Sequence, residues 1–268
     1  MTMKFWKYQG AGNDFIMVDQ REKQGLTRAD TETIERLCDR RFGIGADGLI
    51  LLQNHAEYDF EMVYFNADGR ESSMCGNGGR CIAAFAQHLG IISDYGRFMA
   101  IDGEHEAKII RSIAPKGEWV ELKMIEVRKV EQDGNTFLLN TGSPHYVRFE
   151  TRIDDKNMVQ EGRAVRYSER FAANGINVNL VSLDDTGLNI RTYERGVEDE
   201  TLACGTGVTA AAIASSLYRN QNETDVEVPV KAAGGNLSVR FKRQADGTFS
   251  DIWLCGPAQQ VFEGEIDI

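Results

Sequence analysis

Two cysteines carry the strongest chemical signal in the sequence. Cys75-Gly76-Asn77-Gly78 and Cys204-Gly205-Thr206-Gly207 each place a thiol ahead of a glycine-flanked turn and a small-residue, nearly uncharged run. Such a run reads as a buried helix, so each thiol falls at a helix N-terminus. Amides of a first helical turn lack intrahelical acceptors and carry the positive end of the macrodipole, so they attract a carboxylate. The same environment lowers a thiol pKa from ~8.5 toward neutrality and supplies a usable thiolate. Two thiols on opposite sides of one carbon can withdraw a proton from one face and return another to the opposite face. That is the chemistry of stereocentre inversion.

The other three cysteines, Cys38, Cys81 and Cys255, read as small buried hydrophobes. There is no Cys-x-x-Cys pair. None of the four histidines (His55, His88, His105, His145) stands in ligand spacing with a cysteine, so no metal site is expected. The chain also lacks a Walker-type loop and a strand-linked Gly-x-Gly-x-x-Gly, so no nucleotide cofactor is expected.

The elements that must position the thiols are mostly extended. Phe15–Val18, Leu49–Leu52, Phe60–Phe65, Ala107–Ile113, Val120–Met124, Phe137–Leu139, Val178–Leu183, Leu188–Tyr193, Val226–Val230, Leu237–Phe241 and Asp251–Leu254 are short, β-branched or aromatic runs bounded by turn residues. Asp30–Arg40 has the periodicity of a surface amphipathic helix, with Ile34, Leu37 and Cys38 on one face. Asn77–Leu89 and Thr206–Tyr218 are the two Ala-rich helices, each expected to be wrapped by strands.

Those two regions resemble each other. Tyr64 to Gly78 aligns without gaps on Tyr193 to Gly207, an offset of 129 residues, with Tyr, Glu, Cys and both Gly coinciding. The expected fold is α+β, with two pseudo-symmetric domains, each a mixed, mainly antiparallel sheet or barrel curled around a central helix. The halves are read as 1–116 plus 256–268, carrying Cys75, and 117–255, carrying Cys204.

Composition sets the outer limits. The chain has 268 residues, 42 % of them hydrophobic and 26 % charged, which excludes a disordered polymer. A net charge of −11 argues against nucleic acid or an anionic membrane as partner. No apolar run approaches the ~20 residues of a membrane span, and Met1–Lys7 does not read as a signal peptide. Five cysteines, an odd number, argue against a disulfide framework and for a cytoplasmic location.

Six motifs in fixed order resemble diaminopimelate epimerases. They are Gly10-Ala11-Gly12-Asn13-Asp14-Phe15, Gly43-Ile44-Gly45-Ala46-Asp47-Gly48, Phe65-Asn66-Ala67-Asp68-Gly69, Cys75-Gly76-Asn77-Gly78-Gly79-Arg80-Cys81, Tyr193-Glu194-Arg195-Gly196 and Ala203-Cys204-Gly205-Thr206-Gly207. The likeness runs from Met3 to Gly264. It implies a cofactor-independent, typically homodimeric isomerase that converts LL-diaminopimelate to the meso form in lysine and cell-wall precursor synthesis. By the same resemblance, Cys75 and Cys204 match the two catalytic bases. Asn13, Asn66, Asn177, Glu194 and Arg195 match substrate-contacting residues, and Gly76, Asn77, Gly78, Gly205 and Thr206 match the two helix N-termini that hold the reacting end.

Two positions depart from the family pattern. Ser143, in Gly142-Ser143-Pro144-His145, stands where many relatives have asparagine, and Gly48 stands where some have glutamine. Both changes bear on the distal end of the substrate. Alternatives are a racemase of the same superfamily acting on another amino acid, or a Cys-nucleophile hydrolase or transferase with His145 as its base. A non-catalytic amino-acid-binding protein would leave two thiols without a purpose.

Overall fold

The computed structural model describes residues 2–22, 25–113 and 117–268. The chain divides into two compact units, Met1–Leu122 with Gly256–Ile268, and Lys123–Cys255. The expected cut after residue 116 abuts 114–116, which lie outside the described residues. The structural division falls later, near the end of a strand that pairs wholly within the first unit.

The first unit runs β1 (Thr2–Gly10), β2 (Asn13–Asp19), α1 (Thr31–Cys38), β3 (Gly48–Gln53), β4 (Phe60–Asn66), α2 (Gly76–His88), β5 (Tyr95–Ala100), β6 (Gly103–Ile113) and β7 (Gly117–Lys123). The second runs β8 (Val130–Asp133), β9 (Thr136–Asn140), β10 (Pro144–Phe149), α3 (Met158–Arg166), β11 (Asn177–Leu183), β12 (Leu188–Glu194), β13 (Asp199–Thr201), α4 (Gly205–Tyr218), β14 (Asp225–Ala232) and β15 (Gly235–Arg243). The long β16 (Phe249–Asp267) starts in the second unit and ends in the first.

In the first unit the strands pair in chain order from β1 to β7, with β2–β3 and β4–β5 parallel and the rest antiparallel. The end of β16 then pairs with both β7 and β1, closing a barrel. The second unit repeats the scheme. β9–β10 is antiparallel, β10–β11 parallel, β11–β12 antiparallel, β12–β14 parallel, and β14–β15–β16 antiparallel. The fold is mixed α+β and dominated by sheet.

Burial explains the sequence patterns. Nearly every residue of α2 from Gly76 to Ala86 and of α4 from Gly205 to Ser216 is buried, as expected of helices apolar all round. β2 and β3 read as unbroken apolar runs because both faces are covered. Ile16, Val18, Leu49 and Leu51 pack on Ile34 and Leu37 of α1. Phe15 and Ile50 face α2, where a Cβ at Gly78 would lie 3.5 Å and 3.2 Å from them.

The gapless alignment of Tyr64 with Tyr193 does not survive in the strands. Gly48 pairs with Asn66, whereas its counterpart Asn177 stands opposite Glu194, since Val178 pairs with Tyr193. Phe65 and Tyr193 therefore correspond, and both lie in the outer clusters of their units. A one-residue slip exchanges the faces of a strand. The correct equivalences are Asn66 with Glu194 and Tyr64 with Thr192; the turn that follows takes up the extra residue.

Candidate active site

Each thiol sits at the N-cap of a central helix. Cys75 precedes α2 with φ −91° and ψ 134°, and Cys204 precedes α4 with φ −107° and ψ 112°. Neither side chain caps its helix. The helical ladders begin only where Gly79 N donates to Cys75 O (2.7 Å) and Val208 N to Cys204 O (2.9 Å). The amides of Gly76–Gly78 and Gly205–Gly207 therefore lie outside those ladders, at the positive ends of the helices. Burial pushes the thiols of Cys38 and Cys81 up to about 12.

In the first unit, Cys75 Sγ lies 3.5 Å from Asn13 Oδ1, which also accepts from Asn77 Nδ2 at 3.3 Å. Asn13 Nδ2 donates to Asp47 Oδ2 at 2.6 Å. Asp47 and Asp14 share Arg40, and Asp14 also pairs with buried Lys7 at 2.8 Å. Burial opposes ionisation of Asp14, but hydrogen bonds and charge from Arg40 and Lys7 prevail and hold it well below the carboxylate range. On the other side, buried Arg80 donates to Gly76 O (3.2 Å) and Asn77 Oδ1 (2.8 Å). Asn13 is thus oriented by ionic groups on β1, β2 and the loop before β3. Asn66 is exposed at the end of β4, and Gly48 is buried beside Tyr64.

The second unit gathers more of the expected residues. Cys204 Sγ lies 3.4 Å from Thr206 Oγ1, and Thr206 Oγ1 lies 2.8 Å from His145 Nε2. Glu194 hydrogen-bonds to Cys204 and accepts from Thr201 Oγ1 at 2.9 Å. Burial raises the Glu194 carboxyl, with those two hydrogen bonds opposing. Asn177 Nδ2 donates to Ser143 Oγ (2.8 Å) and Pro144 O (3.1 Å), while Asn177 Oδ1 accepts from Arg195 N (2.8 Å). Arg195 also reaches Ser143 Oγ at 3.4 Å and Asn174 O at 3.0 Å. Ser143, Asn177 and Arg195 form one cluster.

His145 is fully buried, and burial together with the Arg195 charge pushes it down to about 3. Its ring nitrogens engage Thr206 and Asn179 rather than a sulfur, which removes the support for a Cys-His nucleophile pair. Asp14, Asp47 and Arg80 stand inside the recognised motifs but were given no role there, and Asn179 and Thr192 were overlooked. A signal for Asn179 existed: Asn177 and Asn179 alternate with apolar residues, which puts two amides on the inner face of one strand. Among the described residues, no cluster of three or more His, Cys, Asp or Glu could hold a metal, and no helix is long and apolar enough to cross a membrane.

Comparison with known proteins matches this arrangement to one family. Residues 5–106 and 137–260 match the diaminopimelate epimerase family. A diaminopimelate epimerase of Flavobacterium psychrophilum is 49 % identical, covering 98 % of this chain and 100 % of that protein. Those of Chlorobaculum tepidum and Aquifex aeolicus are 42 % and 36 % identical, covering 97 % and 98 % of this chain and 99 % and 98 % of theirs. Among solved structures, a PhzF-family phenazine biosynthesis protein from Bacillus anthracis superposes with a TM-score of 0.79 at 15 % identity, covering both chains fully. A probable proline racemase from Agrobacterium radiobacter gives 0.69 at 13 %, covering 99 % of this chain and 93 % of that one, a likeness of fold alone. With a thiol at the N-cap position of each central helix and relatives matched over nearly their whole length, this chain belongs to the diaminopimelate epimerase family of isomerases.

Proposed function

We propose that the protein epimerises LL-diaminopimelate to the meso form without a cofactor, with Cys75 and Cys204 as its acid/base pair. The observation that carries this reading is the twin N-cap placement of two thiols on helices whose first-turn amides lie outside the ladder. One cysteine enters as thiolate and removes the α-proton; the other enters as thiol and protonates the opposite face. After turnover the two have exchanged protonation states. An amino-acid α-proton is weakly acidic, so the developing carbanion needs preorganised donors at the α-carboxylate, and helix N-termini are suited to supply them.

The distal end would be held by Arg195, pre-aimed by Asn174 O and Ser143, together with Asn177. Asn13 and Asn66 are proposed as further substrate contacts. A guanidinium takes a carboxylate bidentately, which favours a substrate carrying a second zwitterionic end over a racemase substrate such as proline. We also propose a cytoplasmic homodimer, as the family resemblance implies; light scattering at a single protomer mass would overturn the dimer.

Incubation with LL-diaminopimelate in deuterated water is expected to give meso product with deuterium at the inverted carbon. Absence of both sinks the reading. Cys75→Ser and Cys204→Ser should each abolish epimerisation, whereas a one-nucleophile enzyme tolerates one of them.

A further inference from the structure

The two helix N-termini are equivalent in backbone but not in what lies behind them. A Cβ at Gly78 would meet Ile50, Met62 and Phe15; a Cβ at Gly207 would meet Asn179 Oδ1 at 2.6 Å and His145 Cε1 at 3.3 Å. Strand pairing equates Phe15 with His145, Ile50 with Asn179, and Tyr64 with Thr192. Three largely apolar, buried side chains of one half are thus a buried imidazole, amide and hydroxyl in the other. Burying polar groups is costly unless they are directed at one another, and here they are.

The direction of the hydrogen bonds is fixed from one end. Asn179 Nδ2 lies 3.0 Å from Tyr146 O, an acceptor only, so the amide orientation is set. The same nitrogen lies 3.1 Å from His145 Nδ1, and Asn179 Oδ1 accepts from Thr192 Oγ1 at 2.9 Å. His145 Nδ1 is therefore an acceptor, its proton sits on Nε2, and Nε2–H donates to Thr206 Oγ1. The Thr206 hydroxyl, already accepting, has its own proton to give, and Cys204 Sγ stands 3.4 Å away.

We infer that Asn179 is a positioning residue that locks His145 as its Nε2–H tautomer, aims the Thr206 hydroxyl proton at the Cys204 sulfur, and so favours the thiolate of Cys204. The inference rests on the acid/base reading of that cysteine. The opposite tautomer would turn the Thr206 proton toward His145 and leave the sulfur to donate. The titratable groups facing Cys204 are Glu194 on β12, whose carboxylate accepts from the thiol and opposes its ionisation, and His145 on β10, which acts in the other direction through Thr206, with the Arg195 charge acting on His145. Gly207 is required for this wiring, because any side chain there would displace the Asn179 carbonyl oxygen.

The test is the pH dependence of Cys204 alkylation by iodoacetamide, read by peptide mass spectrometry on the whole protein. A lost hydrogen bond to a thiolate is expected to raise its apparent pKa by about one unit, a roughly tenfold slower alkylation near neutrality. Asn179→Ile, which installs the residue of the other half, and Thr206→Val should each show that rise. Thr206→Ser should restore the original value, and the Asn179→Ile/Thr206→Val pair should shift no further than either alone. An unchanged pKa in either folded single variant, or additive shifts in the pair, overturns the inference. So does a ¹⁵N spectrum showing the proton of His145 on Nδ1, a measurement that needs no variant to fold. None of these readouts requires substrate, so a failed epimerase assay would leave them independent.

Discussion

Replacing Gly162 by alanine sets two effects of opposite sign against each other. Gly162 lies inside α3, where helix propensity alone favours alanine by about 1 kcal/mol. Yet α3 lies so close to β12 that an alanine Cβ would stand 2.2 Å from Tyr193 Cγ, 2.4 Å from its Cβ and 2.8 Å from its Cδ1. Ordinary contact begins near 3.4 Å, so helix and strand must separate by roughly 1 Å. Tyr193 cannot yield by a rotamer change, because its Cβ is fixed to the backbone and its hydroxyl donates to Glu198 at 3.0 Å. Overpacking of this kind costs about 1–3 kcal/mol, and a clash with a Cβ belongs at the upper end. The net expectation is a loss of about 2 kcal/mol, or roughly 4–8 °C in melting temperature for a chain of this size. The damage should extend to turnover, since Thr192 and Glu194 flank Tyr193 on the displaced strand. Differential scanning calorimetry with a parallel epimerase assay measures both. A Gly162→Ala protein that melts at or above the parent temperature would refute the packing argument and leave propensity in control.

Asp14→Asn should cost about 3 kcal/mol by stranding Lys7, a buried charge, and chemical denaturation measures it. Because the folded carboxyl is held below its unfolded pKa of ~3.9, its contribution is full above pH ~4 and drains as pH falls, so the variant should also show a flatter acid limb. His145, neutral when folded and pushed down to about 3 against an ordinary ~6.5, contributes stability that is present above pH ~6.5 and lost toward pH 3. Its imidazole resonances should stay those of the neutral ring at pH 5; a midpoint near 6 in an NMR titration contradicts the burial argument. Gly48→Gln should destabilise by about 1–3 kcal/mol, since its Cβ would stand 2.5 Å from Phe65 O and 2.6 Å from the Tyr64 ring. A denaturation midpoint matching the parent would show that Tyr64 yields freely. Ser143→Ala removes a hydroxyl that meets both Asn177 and Arg195, and should raise KM several-fold with kcat little changed; equal loss in both would contradict a distal, ground-state role.

Elements with strong periodicity were readable from the sequence. The helices expected over 77–89 and 206–218 are observed at Gly76–His88 and Gly205–Tyr218 because a nearly uncharged, Ala-rich run is most stable inside a sheet. α3 was hidden by the glycine that lets it approach Tyr193, and β10 by the proline that begins it. The duplication was legible as a spacing of cysteines, while strand register was not, since a turn can absorb one residue without altering the motif on either side. The cysteines stood out by their two matching Cys-Gly-x-Gly turns, and Asn177, Glu194 and Arg195 through resemblance. Their support did not: Lys7, Asp14, Arg40 and Asp47 are distant in sequence and ordinary in type, and only the barrel brings them to Asn13.

The long strand β16 governs the order in which the chain can fold. The second unit has all its residues once Cys255 has been synthesised, but β1 must wait for Gln259–Asp267, made after the whole of the second unit, before the first unit can close. The register joins Thr2 to Asp267 across a separation of 265 residues, a highly non-local contact. Domains made first on the ribosome ordinarily fold first. Here the sequence of events is inverted, and a chain stopped at residue 255 should protect the backbone amides of the second unit from hydrogen exchange while leaving those of β1 and β7 unprotected. Equal protection in both units would show that the barrel closes without its last strand. The first unit thus presents an open sheet edge throughout synthesis of the second, and pairing of β1 with the end of β16 is the step that removes it.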